Sequence, residues 1–210
     1  VKLKVLFFVN IILGISFLNA QELFTESYTL MGSAFELTVV AHDKAEAHAH
    51  ITTAKNEIER IELLISSWDS NSETSSINQN AGIKPVKVSK ELWDLIDRSQ
   101  RISKITSGAF DLTFAAVDQI WKFDGSEAVM PDADLIQASV SKIGYNQVQL
   151  NKEQSTVFLP QKGMKIGFGA IGKGYAGLNI HLDSDNKISF NLEFNKLLVP
   201  SPRILGQMAL

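Results

Sequence analysis

The stretch Gly167-Phe168-Gly169-Ala170-Ile171-Gly172-Lys173-Gly174-Tyr175 carries four glycines and a single lysine. Backbone this bare can close around a phosphate with its N–H groups, most readily where it opens a helix. Ahead of it Met164, Ile166 and Phe168 alternate with other residues, which predicts a strand over 164–168 feeding the glycine turn. Upstream, Gly108-Ala109-Phe110-Asp111-Leu112-Thr113 sets an acid close behind a glycine, and the two strings together point to a nucleotide-type ligand. Gly167-x-Gly169-x-x-Gly172 also satisfies the dinucleotide pattern, but it stands late in the chain with no second strand-helix unit after it. Gly167-x-x-x-x-Gly172-Lys173 has phosphate-loop spacing, yet Gly174 stands where a Ser or Thr should reach magnesium. Taken alone, the string reads equally well as a turn that binds nothing.

Working outward, the period of the apolar residues supplies the order of elements. Short strands are expected over 148–150 and 156–159, joined by polar residues 151–155. Pro131 and Asp132 open a helix that runs through Leu135, Ile136 and Ile143 to Gly144. Asp111 can cap a short helix holding Ala115, Ala116 and Val117, up to Trp121. A longer helix starts after Ser89, buries Leu92, Ile96, Ser99 and Ile102, and stops at Gly108. Before it, Ile51, Ala54, Ile58, Ile61 and Ile65 describe an amphipathic helix capped by Asp43. Between these two helices lies a polar stretch, 66–73, with Trp68 inside it, then Ile77, Asn78 and a turn at 80–82. Near the start, Tyr28, Leu30, Phe35, Leu37 and Val39 predict two half-buried strand segments that meet at Met31-Gly32, where the glycine would let backbone approach closely. Strand, helix, helix, helix, strand is the order of an α+β fold, not of regular βαβ alternation.

Residues 1–20 begin with Lys2 and Lys4, continue through an apolar run over 5–18 and end at Ala20, the pattern of a secretory signal peptide. The run is short against the roughly 20 residues of a membrane span. Export to the periplasm follows, with inner-membrane association only if this segment stays uncleaved. The chain has no cysteine, which removes disulfides, thiolate metal sites and thiol nucleophiles from consideration. Hydrophobic residues make up 45%, enough for a core. The net charge of -3 and the lack of a basic stripe interleaved with aromatics argue against nucleic acid as a partner. His42, His48 and His50 tempt a metal reading, but 48 and 50 fall on different helix faces, and they read as solvated.

Trp68, Ser72-Glu73, Ile77-Asn78, Gly108-Ala109-Phe110-Asp111-x-Thr113, Trp121-x-Phe123, Ile143-Gly144-Tyr145 and Gly169-Ala170-Ile171-x-Lys173-Gly174-Tyr175-Ala176 occur in an order and spacing that resembles the ApbE family, the FAD:protein FMN transferases. The resemblance runs from about Met31-Gly32 to Ala176 and implies a single T-fold-like α+β domain over 21–176, followed by a divergent tail over 177–210. It implies a periplasmic enzyme that takes FAD with magnesium and passes FMN to a Thr or Ser hydroxyl of an acceptor flavoprotein, a subunit of a membrane redox complex, releasing AMP. By position, Met31, Trp68, Asn78, Ala109, Phe110, Asp111 and Lys173 are implied as flavin-nucleotide contacts, and the Ala170 carbonyl as a metal ligand. No catalytic side chain is singled out.

Five of those residues also have a plainer reading: Met31 as strand-end core, Trp68 as core, Asn78 as a turn cap, Asp111 as a helix cap and Lys173 as an exposed lysine. Where many members carry an acid two residues before Gly169-Ala170, this chain has Gly167. After Ala176 the family pattern is lost, which leads to the expectation of a frameshift or truncation with half of the metal ligands missing. Alternative readings are then a noncatalytic flavin-binding remnant, or an FAD pyrophosphatase that releases FMN and AMP.

Overall fold

The computed structural model describes residues 21–120 and 130–183. The signal-like segment 1–20, Trp121-x-Phe123 and the tail beyond residue 183 lie outside the described residues. The fold is α+β, and contacts divide the described residues into two compact units, one of residues 21–57 with 177–183 and one of residues 58–120 with 130–176.

In the first unit, β1 (Glu22–Leu30) and β2 (Ser33–Ala41) form an antiparallel hairpin, paired from Glu22 with Ala41 to Leu30 with Ser33. Strict alternation buries Phe35, Leu37, Val39 and Ala41 on one face of β2. The two-residue loop has φ 49° at Met31 and 70° at Gly32, the left-handed pair that matches the twist of a tight hairpin. The close approach expected at Gly32 is not found: a Cβ there would meet nothing within 4 Å, so this glycine is needed for its positive φ. Helix α1 (Lys44–Ile65) starts as expected at Asp43, whose Oδ1 accepts the N–H groups of Ala45 and Glu46 at 2.8 and 2.9 Å. Glu46 reaches back to accept the His42 N–H at 2.7 Å, a reciprocal cap shifted by one residue. Ala47, Ile51 and Ala54 are its buried stripe here, and Lys55 lies over the Tyr28 ring.

The second unit takes over α1 at Ile58, where Ile58, Ile61, Leu64 and Ile65 continue the stripe. It then holds α2 (Glu73–Gln79), β3 (Val86–Lys87), α3 (Lys90–Ile105), a 3-10 helix (Leu112–Gln119), α4 (Ala133–Val140), β4 (Gln149–Asn151) and β5 (Thr156–Phe158), and the start of α5 (Gly172–Asp183). A small antiparallel sheet has the order β3-β5-β4. Helix α2 has no counterpart in the sequence reading; Ser72 caps it by accepting the Ser75 N–H at 2.9 Å. Helix α3 is capped by Ser89 as expected but ends at Ile105, because Ser107 and Gly108 are both left-handed and the Gly108 N–H turns back to the Ser103 carbonyl at 2.8 Å. Its stripe buries Ser103, while Ile102 is half-buried. Helix α4 stops at Val140, short of Ile143 and Gly144.

The expected strand over 164–168 has the alternating burial of an extended chain but, among the described residues, belongs to no sheet. Its alternation is real, with Met164, Ile166 and Phe168 buried, yet its backbone bonds go elsewhere. The Ile166 N–H and carbonyl pair with the Asn78 carboxamide, and the Gly167 N–H reaches the Leu112 carbonyl at 3.0 Å.

Candidate functional site

The extended 164–168 segment delivers the chain to the glycine turn in the second unit. Ile171 and Gly172 both donate their N–H to the Phe168 carbonyl, at 3.0 and 2.6 Å, which folds residues 168–172 into the turn that starts α5. Gly169 and Ala170 are exposed in this turn, and Lys173 stands half-buried in the first turn of the helix. A Cβ at Gly169 or at Gly174 would meet nothing within 4 Å, so both leave room beside the backbone. The N–H groups of Gly172 and Tyr175 are taken by the Phe168 and Ile171 carbonyls, so among the described residues it is the N–H groups of Lys173 and Gly174 that this helix start sets beside the lysine ammonium.

The helix start is anchored two residues beyond the lysine. Tyr175 donates its hydroxyl to Glu91 Oε1 at 3.0 Å, and Arg60 grips both oxygens of the same carboxylate at 2.8 and 2.9 Å. The Arg60 hydrogen bonds hold the Glu91 carboxyl below its usual range; partial burial opposes them and the Tyr175 hydroxyl adds to them.

Asp111 has both carboxylate oxygens engaged by the protein. Oδ1 accepts the Thr113 N–H at 2.8 Å and its hydroxyl at 2.6 Å, while Oδ2 accepts the Tyr145 N–H at 2.9 Å. The Thr113 hydroxyl oxygen accepts the Gly144 N–H at 2.8 Å. The capping role expected of Asp111 is thus in place, and the same acid joins the Ala109-Phe110 loop to Gly144-Tyr145. Ala109 is exposed and Phe110 half-buried. Asn78 turns one edge of its amide to Ile166 and is not a turn cap.

Trp68 is not core: it is 70% exposed, on a loop whose backbone is folded by hydroxyls. Ser66 Oγ accepts the N–H of Trp68 and Asp69 at 3.3 and 3.1 Å, and the Ser72 hydroxyl donates to the Ser66 carbonyl. The Lys165 ammonium lies over the Trp68 ring, 4.5 Å from its centroid. Sequence reasoning passed over Lys165 and Asp118; only the fold sets Lys165 on the face of the extended segment that is not buried. At Gly167 the missing acid has a steric counterpart, since a Cβ there would come within 2.9 Å of the Ala115 Cβ.

Met31 belongs to the first unit, half-buried in the hairpin loop at φ 49°. That conformation is strained for a residue with a Cβ, and strain of this kind is often retained for function. His48 pairs with Glu26 at 3.1 Å and His50 lies 3.8 Å from Glu46. Among the described residues no three His, Asp or Glu side chains are grouped to hold a metal. Ala170 offers a single carbonyl in an exposed turn, so the described residues do not complete a hard-cation site.

A family profile described as the ApbE family matches residues 31–180. An FAD:protein FMN transferase of Klebsiella pneumoniae is 31% identical over 158 residues, covering 75% of this chain and 49% of its own length. One of Treponema pallidum is 29% identical over 136 residues, covering 62% of this chain and 38% of its own. The chain therefore spans about half, or less, of the relatives it matches. The crystal structure of an ApbE protein from Thermotoga maritima superposes with a TM-score of 0.70 at 24% identity, covering 77% of this chain and 52% of that one. The flavin transferase ApbE from Vibrio cholerae superposes with a TM-score of 0.73 at 19% identity, over 83% of this chain and 58% of that one. At these identities the structures support the fold.

Proposed function

The chain belongs to the ApbE family, and from that membership we propose that it binds FAD and serves transfer of its FMN half to a protein hydroxyl. In that reaction a Thr or Ser oxygen of the acceptor forms a bond to the FMN phosphorus. The bond from that phosphorus to the bridging oxygen breaks, AMP leaves with the oxygen, and the hydroxyl proton is given up to the surroundings. Negative charge grows on the bridging oxygen, so the step needs positive charge close by.

The observation that carries this reading is the helix start at Gly172. It sets the Lys173 ammonium and the N–H groups of Lys173 and Gly174 beside a turn with open space at Gly169 and Gly174, inside the matched region. The diphosphate would lie against that turn, held by the Lys173 ammonium and backbone donors. Ala109, Phe110 and the Asp111 loop would border the nucleotide, and Trp68 would offer its ring face to a planar ring. Met31 is carried as a flavin-nucleotide contact by the family resemblance alone. Asp111 and Asn78 would act through the loops they hold together.

Magnesium is part of the proposal; when bound, it would neutralise phosphate charge. The described residues complete no site for it, and no step here is assigned to it. Export to the periplasm, supported by the sequence of residues 1–20, completes the reading, and an acceptor subunit of a membrane redox complex enters it from the family resemblance alone.

The deciding experiment incubates the purified chain with FAD, magnesium and an acceptor domain. Covalent FMN on the acceptor is the expected product. Free FMN with AMP would replace transfer by hydrolysis, and intact FAD that stays bound would reduce the chain to a flavin-binding remnant.

A further inference from the structure

We propose that Lys165 and Asp118 are ligand-binding residues that combine with the ring of Trp68 into a clamp for a planar heterocycle whose edge carries a hydrogen-bond acceptor beside a donor. The inference deepens the reading of FAD binding above and rests on it.

Its geometry begins with the extended segment. Met164, Ile166 and Phe168 are buried, so alternation turns Lys165 and Gly167 to the opposite side. That side faces the 3-10 helix over residues 112–119: the Gly167 N–H bonds to the Leu112 carbonyl at 3.0 Å, and a Cβ at Gly167 would lie 2.9 Å from the Ala115 Cβ. In a 3-10 helix residues i and i+3 eclipse, which puts Asp118 on the same face as Ala115. The Trp68 loop borders the same strip, because Ser67 Oγ lies 3.7 Å from where that Cβ would be. Three separate elements thus bring one ring, one ammonium and one carboxylate to a common surface.

The state of the three groups suits a ligand better than a closed structural cluster. Trp68 keeps 70% of its surface exposed, and its only described ring partner is the Lys165 ammonium, at 4.5 Å. Asp118 is half-buried, and among the described residues no hydrogen-bond donor meets its carboxylate. Burial lifts its carboxyl above the usual range, with the charge of Lys165 opposing. Such a carboxylate gains by accepting an N–H, and an ammonium on a ring face can move to the edge of an incoming ring and donate to its carbonyl or ring nitrogen. Stacking on Trp68 would fill the face that Lys165 vacates. Both rings of FAD have such an edge: the flavin N–H between carbonyls, and the adenine amino group beside a ring nitrogen.

The test titrates FAD, FMN, AMP and inorganic pyrophosphate separately into the full chain, as wild type, Lys165→Met, Lys165→Arg, Asp118→Asn and the Lys165→Met/Asp118→Asn double variant, with calorimetry as readout and urea unfolding as a check on folding. Expected are losses of about 10-fold in FAD affinity for Lys165→Met and for Asp118→Asn, a double variant little weaker than either, and recovery in Lys165→Arg. The same loss should appear with FMN or with AMP, which identifies the ring held, and not with pyrophosphate. Wild type that binds FAD while both single variants bind within about twofold of it overturns the clamp and leaves FAD binding standing. A loss equal for FMN, AMP and pyrophosphate overturns it as well, because phosphate attraction alone then explains Lys165. Wild type that takes up neither FAD, FMN nor AMP overturns the clamp and the reading beneath it together.

Discussion

The carboxamide of Asn78 pairs with both backbone groups of Ile166, donating from Nδ2 to the carbonyl at 3.0 Å and accepting the N–H on Oδ1 at 2.8 Å. One side chain on α2 thereby does what a neighbouring strand would do for a buried, extended residue. The glycine turn begins three residues later, so its position depends on this pair. Asn78→Ala should cost about 2 to 3 kcal/mol, since it strands a buried donor and acceptor, and Asn78→Asp should cost nearly as much by removing the donor. Urea denaturation of both variants checks this; a shift under about 0.5 kcal/mol in each would show the pair to be dispensable.

Gly167 and Ala115 are in steric competition. Gly167→Ala should destabilise by about 1 to 3 kcal/mol through overpacking, and Ala115→Gly in the same chain should return much of the loss. The measurement is a double-mutant cycle on unfolding free energy. Strictly additive effects would mean that the two positions do not press on one another.

Met31 holds a φ of 49° where a hairpin loop before Gly32 favours Asn. Met31→Asn should raise thermal stability modestly, by about 1 kcal/mol or less, because Asn bears the left-handed conformation at less cost, while weakening FAD binding. Differential scanning calorimetry paired with FAD titration reads the two effects. Affinity unchanged in the stabilised variant would remove Met31 from the ligand contacts.

Lys173 supplies the cation of the helix start, and Tyr175, beside it, is tied to Glu91 at 3.0 Å. Lys173→Met should lower FAD affinity by at least about 10-fold, in keeping with loss of a charge-assisted bond to phosphate, with little change in unfolding. Riboflavin, which lacks the diphosphate, should bind wild type and variant alike. An equal loss for riboflavin would place the lysine elsewhere than at the phosphates.

Glu91 links the same helix start to Arg60, and its carboxyl is held below the usual range mainly by the Arg60 bonds. A depressed carboxylate contributes stability that is present above its unfolded pKa and is lost as pH falls through its folded pKa. Glu91→Gln should therefore cost about 1 kcal/mol or less near neutral pH, since the pair is partly exposed, and nothing once acid has protonated the wild-type group. Urea unfolding at a series of pH values tests the convergence. A gap between wild type and variant that persists in acid would locate the effect in packing.

Much of the secondary structure was legible because it follows from local rules. Asp43 and Asp111 cap the helices that the sequence assigned to them, and Ser89 and Asp132 cap helices where starts were expected. The boundaries were less so, as with α3, which gives way to a left-handed Ser107 before Gly108 is reached. Helix α2 stayed hidden because a seven-residue helix with Ile77 as its only aliphatic residue has no period to read. Of the candidate site, the glycine turn and the Asp111 loop stood out as strings. Lys165 and Asp118 did not, because neither belongs to a motif.

By itself the sequence determined the hairpin, the apolar stripes and the caps, which are properties of neighbours a few residues apart, and the membership of a family, which rests on the order and spacing of short strings along the chain. The tertiary structure decided where long-range partners meet. It left the 164–168 segment without a strand beside it and gave it Asn78, 88 residues away in sequence, instead. It exposed Trp68 beneath Lys165, and it made Gly167 necessary opposite Ala115. Alternation and periodicity state which side of an element is buried; they carry no information about what lies against it, because that depends on chain segments whose separation in sequence leaves no periodic trace.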